Sequence, residues 1–164
     1  MIRIGLVSDT HGYLDKKLFE YFKECDEIWH AGDIGNIETA DELATFKPFK
    51  AVYGNIDGHE IRIIYPKNQR FMCEKIDVWI THIGGYPGHY AHEVREEIKQ
   101  HPPKLFICGH SHILKVIYDK KFNFLYINPG ASGINGIHKI KTAVRFIIDG
   151  EQIKNLEVIE LGLR

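Results

Sequence analysis

Cysteine is scarce in this chain: three residues in 164, at Cys25, Cys73 and Cys108. An odd, scattered set of thiols excludes a disulfide framework and supplies no thiolate cluster for a structural zinc. The three read as reduced, buried residues of a cytoplasmic protein. Net charge is nearly absent as well. Lys and Arg number 21 against 22 Asp and Glu, leaving −1, so nothing favours a nucleic-acid or anionic-membrane partner. No apolar run approaches the roughly 18–20 residues that span a bilayer. The opening stretch "MIRIGLVSDTHG" turns polar too soon for a secretory signal. Repeats, low-complexity tracts and linkers are missing too. What remains is a chain with 44% hydrophobic and 26% charged residues, sized for one domain over residues 1–164 with a real core.

Strand and helix patterns alternate through the first two thirds. "IRIGLV" is a β-branched run ending at a polar cluster. "LDKKLFEYFKEC" places Leu14, Leu18, Phe22 and Cys25 on one helical face. "DEIWHAGD" reads as a second strand, "IETADELATF" as a helix stopped by Pro48, and "KAVYGN" as a third strand. "DVWITHIGG" is a fourth strand, "AHEVREEIKQH" a helix with Val94 and Ile98 inward, and "KLFICGHSH" a fifth strand. This alternation predicts largely parallel β-structure flanked by helices. After His112 the pattern becomes two hairpins, the second turning at Asp149-Gly150. Two facing sheets in an α/β sandwich would bury both sets of strands.

The polar residues at the strand exits carry the chemistry. Asp9 and His11 follow the first strand, Asp33 the second, Asn55 the third, His82 the fourth, and His110 and His112 the fifth. The carboxyl end of the strands is where open α/β sheets build sites. Carboxylates, imidazoles and an amide oxygen without a thiolate suit first-row divalent metals. In Asp9-x-His11 and His110-x-His112, residues two apart on an extended chain would face the same way. Glycines before Asp33, Asn55 and His110 would let the backbone turn tightly. Seven such residues at strand exits without a ligand would crowd charge and donors together.

The set "DTH", "GDIG", "GNID", "TH" and "GHSH", with "YINPGASG" near the end, resembles the calcineurin-like metallophosphoesterase superfamily, closest to its small single-domain prokaryotic phosphodiesterases. The resemblance spans nearly the whole chain. It implies an α/β four-layer αββα sandwich of two mixed β-sheets flanked by helices, with a binuclear metal site at the strand C-terminal ends. It implies two divalent ions, Mn²⁺ first and Fe, Zn or Ni as alternatives. Asp9, His11, Asp33 and His112 would hold one ion. Asp33, Asn55, His82 and His110 would hold the other, with Asp33 bridging. The implied activity is hydrolysis of a small phosphodiester by metal-activated hydroxide, with Asp9, His11, Asp33, Asn55 and His82 catalytic and Asp57 orienting the site. Phosphomonoesterase or nucleotidase activity is the enzymatic alternative. A protein-interaction scaffold of the same fold is the other, although such scaffolds tend to have eroded ligand sets and this one is intact. Homo-oligomer formation stays open.

Ile56 departs from the superfamily, which often has a histidine after the asparagine to assist the leaving group. His59 is the nearby substitute, with solvent exposure as the plainer reading. His30 reads as a packed, hydrogen-bonded histidine, Trp29 and Trp79 as core, and Asn128 as a turn-fixing residue. His89 and His92 read as an exposed face, with a pocket wall as the sharper alternative, and the glycines of "IGGYPGHYAH" would let that segment act as a lid.

Overall fold

A computed structural model describes residues 1–164. In chain order the elements are β1 (Ile2–Val7), α1 (Lys16–Phe22), β2 (Glu27–His30), α2 (Ile37–Phe46), β3 (Phe49–Ala51), α3 (His59–Arg62), β4 (Asn68–Cys73) and β5 (Ile76–Thr81). There follow β6 (Gly85–Tyr86), β7 (His89–Tyr90), α4 (His92–Gln100), β8 (Leu105–Ile107), β9 (Leu114–Asp119), β10 (Phe124–Pro129), β11 (Ile140–Asp149) and β12 (Gln152–Leu163). One five-stranded sheet has the order β12-β11-β1-β2-β3 and the other β4-β5-β8-β10-β9. Both are mixed: β1-β2-β3 and β5-β8-β10 run parallel, while β11, β12, β4 and β9 are antiparallel to their neighbours.

The inner faces meet in one apolar layer. Leu6, Trp29, Val144 and Phe146 from the first sheet pack with Val78, Ile80, Leu105 and Ile127 from the second. Outside the first sheet, Leu18 and Phe22 of α1 and Leu43 of α2 cover Val7, Ile28 and Ala143. Outside the second, Val94 and Ile98 of α4 cover Trp79, Phe106 and Tyr126. The layers are therefore helix, sheet, sheet, helix. Side-chain caps begin the two helices on the first sheet: Asp15 accepts from Lys17 N at 2.9 Å, and Asn36 from Thr39 N at 2.9 Å. A Cβ on Gly5 would come within 2.6 Å of the Phe22 ring, so only glycine at this position of β1 lets α1 settle on the sheet. No helix is long and apolar enough to cross a membrane.

Three local readings need correction. The sequence pattern passes over β4, so "DVWIT" is the fifth strand and not the fourth. β4 is an edge strand whose residues 68, 70 and 72 are exposed, and "NQRFMC" shows little apolar alternation. The one-turn helix α3 was likewise not anticipated. In the last hairpin Asp149 still pairs with Gln152, so the turn is Gly150-Glu151. Both tryptophans are core residues, as expected. Trp29 Nε1 donates to Glu27 Oε2 at 2.8 Å and Trp79 Nε1 to Asn68 Oδ1 at 3.0 Å.

Candidate metal centre

The fold brings the exits of β1, β2, β3, β5 and β8 to one edge shared by the two sheets. Two donor groups form there: Asp9, His11 and His112, and Asp33, His82 and His110. In the first, His112 Nε2 lies 3.1 Å and His11 Nε2 3.8 Å from Asp9 Oδ1. In the second, His82 Nε2 lies 3.2 Å from Asp33 Oδ2. The groups adjoin through Asp33, whose Oδ2 is also 3.5 Å from His11 Nε2. Asn55 joins the second group, its Oδ1 standing 3.1 Å from His82 Nε2 and 2.9 Å from His110 Nδ1. All seven predicted donors thus converge. His110 and His112, one residue apart, go to different groups.

The backbone achieves this differently from the extended D-x-H and H-x-H geometry expected. Asp9, His11, Asp33, His110 and His112 all have left-handed backbone, with φ of 52°, 48°, 55°, 69° and 62°. Non-glycine residues there cost on the order of 1–3 kcal/mol each unless their surroundings fix them, and Asp and His tolerate the region better than most. Here the loops are tied to one another. Asp9 N donates to Gly32 O at 3.0 Å, His11 N to Asp33 O at 3.0 Å, and Gly109 N to His82 O at 3.0 Å. Two of the glycines also have a different purpose from the one expected. A Cβ on Gly54 would lie 2.0 Å from Asp33 Oδ1, and one on Gly109 would lie 2.0 Å from Ser8 Oγ. They permit close approach of one loop to another.

The donor set fits divalent cations. Ligands about 2.0–2.2 Å from one ion stand about 2.8–3.6 Å apart at octahedral to tetrahedral angles, close to the separations above. Two buried atoms, Asp9 Oδ1 and His11 Nε2, have no hydrogen-bond partner. Orphaned buried polar atoms cost about 1–3 kcal/mol each, and a shared cation satisfies both. Asp9 Oδ2 is already engaged, accepting from Ser8 Oγ at 2.5 Å and His110 N at 3.1 Å.

The electrostatics point the same way. Burial opposes ionisation of Asp9, yet His11 and His112 hold its carboxyl well below the usual range. Burial likewise opposes ionisation of Asp33, but His82 and the Ile56 N–H outweigh it and lower its pKa. The Asp9 carboxylate, 3.8 Å away, raises the pKa of His11. His82 is raised despite burial, by the carboxylates of Asp33 and Asp9 beside it. The site therefore gathers positive charge between Asp9 and Asp33, as protons on imidazole or as metal. His82 Nδ1–H donates to Ala31 O at 2.7 Å, which turns Nε2 toward Asp33 and leaves it free to ligate when deprotonated.

Asp57 touches neither donor group. It is buried and accepts from Gly35 N at 2.8 Å, Gly54 N at 2.8 Å and Ile34 N at 3.1 Å. It thereby clamps the loop carrying Asp33 to the loop carrying Asn55. Asp57→Ala is expected to lower metal affinity and kcat/KM by about 10–100-fold, the usual range for such supporting residues. Asp57→Asn, which keeps one acceptor oxygen, should lose less. Metal titration beside steady-state kinetics checks both.

His30 is fully buried behind the site. Gly32 N–H donates to its Nδ1 at 3.0 Å, and Nε2 meets Thr10 Oγ1 at 2.9 Å. Thr10 Oγ1 donates to Ile34 O, so His30 Nε2 carries the imidazole hydrogen. Burial pulls the pKa of His30 down to about 4. An unfolded histidine titrates near 6.5. The stability held by the neutral ring is full above about pH 6.5 and falls as pH drops toward 4. Between pH 7.5 and 4.5 this costs on the order of 2–3 kcal/mol. Denaturant midpoints at both pH values should show a smaller acid loss in His30→Gln.

Other residues sort themselves by position. Ile56 and His59 are exposed on the loop after Asn55 and at the start of α3. Asn128 is a fastener: its Nδ2 donates to Gly109 O at 2.9 Å and Ser111 Oγ at 3.1 Å, and its Oδ1 accepts from Gly130 N. The "IGGYPGHYAH" segment is not an irregular loop but contains the β6–β7 ribbon, anchored where Tyr126 OH donates to Gly85 O at 2.6 Å. Tyr86 and His89 face each other, with Lys115 over the Tyr86 ring. From this segment Ile83, Ala91 and His92 join His82 in lining a cavity of about 730 Å³ that opens beside the donors; Tyr86 and His89 do not. Its opposite wall includes Arg62 and Lys67, which sequence reasoning did not single out because β4 and α3 were not recognised. Ser8, the fastener of Asp9, was also missed; its one signal was adjacency to the aspartate.

Comparison with known proteins bears on this arrangement. In overall shape the chain matches a crystal structure of wild-type Vps29 from Entamoeba histolytica complexed with Zn²⁺ (TM-score 0.75, 13% identity, 98% of this chain and 100% of that one). It also matches a structure described as a novel archaeal phosphodiesterase (TM-score 0.75, 23% identity, 96% of this chain and 100% of that one). At these identities the likeness concerns the fold alone. Sequence settles the family. Residues 2–151 match the calcineurin-like phosphoesterase superfamily domain. A Methanothermobacter thermautotrophicus protein named "Probable metallophosphoesterase" is 28% identical over 166 residues, covering 97% of this chain and 92% of its own. One of the same description from Methanocaldococcus jannaschii is 30% identical over 134 residues, covering 78% of this chain and 67% of its own. The chain belongs to the calcineurin-like phosphoesterase superfamily, whose chemistry is metal-dependent hydrolysis of phosphoesters.

Proposed function

We propose that this protein is a phosphodiesterase working with two divalent cations, one held by Asp9, His11, Asp33 and His112 and the other by Asp33, Asn55, His82 and His110. The observation that carries the reading is Asp33 Oδ2, 3.5 Å from His11 Nε2 and 3.2 Å from His82 Nε2, placed between two donor groups. Manganese is the first expectation; iron, zinc and nickel accept the same donors. When bound, such ions acidify a water and polarise a phosphoryl oxygen.

The chain's own residues arrange the rest. The bonds from Ser8 Oγ–H and His110 N–H to Asp9 Oδ2 leave Oδ1 as the ligating atom. Ala31 O holds the His82 tautomer. Asn128 and Ser111 hold the loop carrying His110 and His112. Asn55, with Oδ1 turned to the histidines, keeps Nδ2 to donate to a substrate oxygen.

Two features favour a diester. Asp9 and Asp33 pair only with histidines, and Lys67 and Arg62 stand on the wall of the adjoining cavity and not among the donors. Ile56, 46% exposed beside the site, stands where many relatives carry a protonating histidine. The shared fold with an archaeal phosphodiesterase supports the same choice. The test is a metal-by-substrate panel on chelated protein, with aryl diesters, aryl monoesters and cyclic nucleotides. Aryl diesters should be turned over fastest; faster monoester hydrolysis overturns the diesterase assignment.

A further inference from the structure

The cavity beside the donors is larger than a simple ester needs. It starts at Asn55 and His82 and continues along β4 and β5 to Arg70 and Trp79. Trp79 lies three residues before His82 on β5, so the groove follows the strand for about 10 Å at roughly 3.3 Å per residue. A phosphodiester bound at the donors would send one of its two arms into this groove.

The groove wall near the donors is cationic. Asn68 lies opposite Thr81 in the β4–β5 register, so Lys67, one residue earlier, comes level with His82. Lys67 Nζ reaches across to Glu93 Oε2 of α4 at 3.2 Å, with side chains 59% and 82% exposed. So open an ion pair contributes little to stability, and a competing anion exchanges for Glu93 at little cost. Arg62, on the same wall, stacks over Tyr53 at 4.5 Å. Its Nε donates to Asp57 O at 2.6 Å and its Nη2 lies 3.4 Å from Gly54 O and from Asn55 O, while Nη1 has no protein partner. The backbone thus fixes one guanidinium edge and leaves the other able to donate.

We infer that Lys67 and Arg62 bind a second anionic group on the substrate, beyond the scissile phosphoryl, and that Glu93 occupies Lys67 until that group arrives. The preferred substrates are phosphodiesters whose non-leaving arm carries a further phosphate or carboxylate. This inference rests on the phosphodiesterase reading, and it assigns specificity to residues outside the donor set.

The decisive comparison uses the manganese-loaded full chain and two substrates that differ by one group: thymidine 5′-(p-nitrophenyl phosphate) and the same compound with a 3′-phosphate. A third, with a carboxymethyl group in place of the 3′-phosphate, separates phosphate from carboxylate recognition. Charge-assisted hydrogen bonds to a fixed anion are worth enough for about a tenfold or greater preference. The wild type should therefore favour the 3′-phosphorylated substrate by about tenfold in kcat/KM, through KM, and the preference should shrink as salt is raised. Lys67→Met should erase it, costing the 3′-phosphorylated substrate about tenfold more in kcat/KM than the unphosphorylated one. Glu93→Gln should enlarge it by freeing Lys67. Equal handling of the substrates by the wild type, or parallel changes on both in Lys67→Met, overturns the inference. Calorimetric binding of thymidine 3′,5′-bisphosphate against thymidine 5′-phosphate separates the two readings. If neither substrate is turned over but the bisphosphate binds more tightly in a Lys67-dependent way, the hydrolase reading falls and the anion site stands. Equal binding of the two nucleotides removes the anion site.

Discussion

Chelation of divalent metal should abolish turnover, and added Mn²⁺ should restore it. That result is expected because the two carboxylates at the centre of the site are matched to cations and to little else. Asp9 Oδ1 is buried without a hydrogen-bond partner, and Asp33 Oδ2 sits between two imidazole nitrogens. Asp33→Asn keeps the shape but halves the anionic charge of the pair and replaces one carboxylate oxygen by an amide that cannot bridge. Supporting residues around metal sites are worth 10–100-fold; a shared ligand should cost more, about a thousandfold or greater in kcat/KM. Lys99→Ala, on the exposed face of α4, is the control and should lie near the wild type. The raised histidines add a pH dependence with a definite sign. In the metal-free site the carboxylates favour protonated His11 and His82, and each must lose that proton before it ligates. Metal affinity therefore rises with pH and weakens as pH falls through the histidine range. Metal content measured after dialysis at stepped pH, beside activity, tests this. Full turnover by the chelated protein would falsify the metal assignment.

Aryl phosphodiesters are expected to be hydrolysed much faster than alkyl ones, with a steep dependence of rate on leaving-group pKa. Ile56 faces solvent beside the donors, and its N–H is occupied by Asp33 Oδ1 at 3.0 Å. Its hydrocarbon side chain cannot protonate a departing oxygen. A nitrophenolate leaves unaided, whereas an alkoxide needs a proton, and a positioned acid is worth about 10²–10⁴-fold in such steps. Ile56→His should recover part of that for alkyl esters and flatten the dependence. Little strain is expected, since the position is exposed. A flat dependence in the natural protein, with chemistry rate-limiting, would mean that another acid is present. His59, exposed at the start of α3, is then the residue to replace, and His59→Ala should make the dependence steep.

The donors were legible because the strands announce themselves. "IGLV" and "LFIC" are apolar runs that must be buried, and each stops at polar residues. A chain that alternates strand and helix brings strand exits to one edge, so their polar residues meet whatever the fine geometry of the loops. The elements that escaped the pattern are those held by context. β4 is an edge strand with residues 68, 70 and 72 exposed; its pairing with β5 defines it more than its own periodicity. The β6–β7 ribbon owes its form to partners distant in sequence. Tyr126 OH binds Gly85 O, and Tyr90 OH donates to Asp119 Oδ2 at 2.6 Å.

By itself, the sequence determined the layered α/β sandwich, the seven metal-suited donors and the family, because burial periodicity and donor chemistry are local properties of short stretches. The tertiary structure decided how those donors face one another. Left-handed backbone, not extended strand, aims five of the seven, and loop-to-loop hydrogen bonds fix those conformations. It also decided that Asp57 and Asn128 fasten the site from outside, and that Lys67 and Arg62 line the cavity beside it. Such roles depend on which segments meet across the fold, and nothing in a residue's immediate neighbours records that meeting.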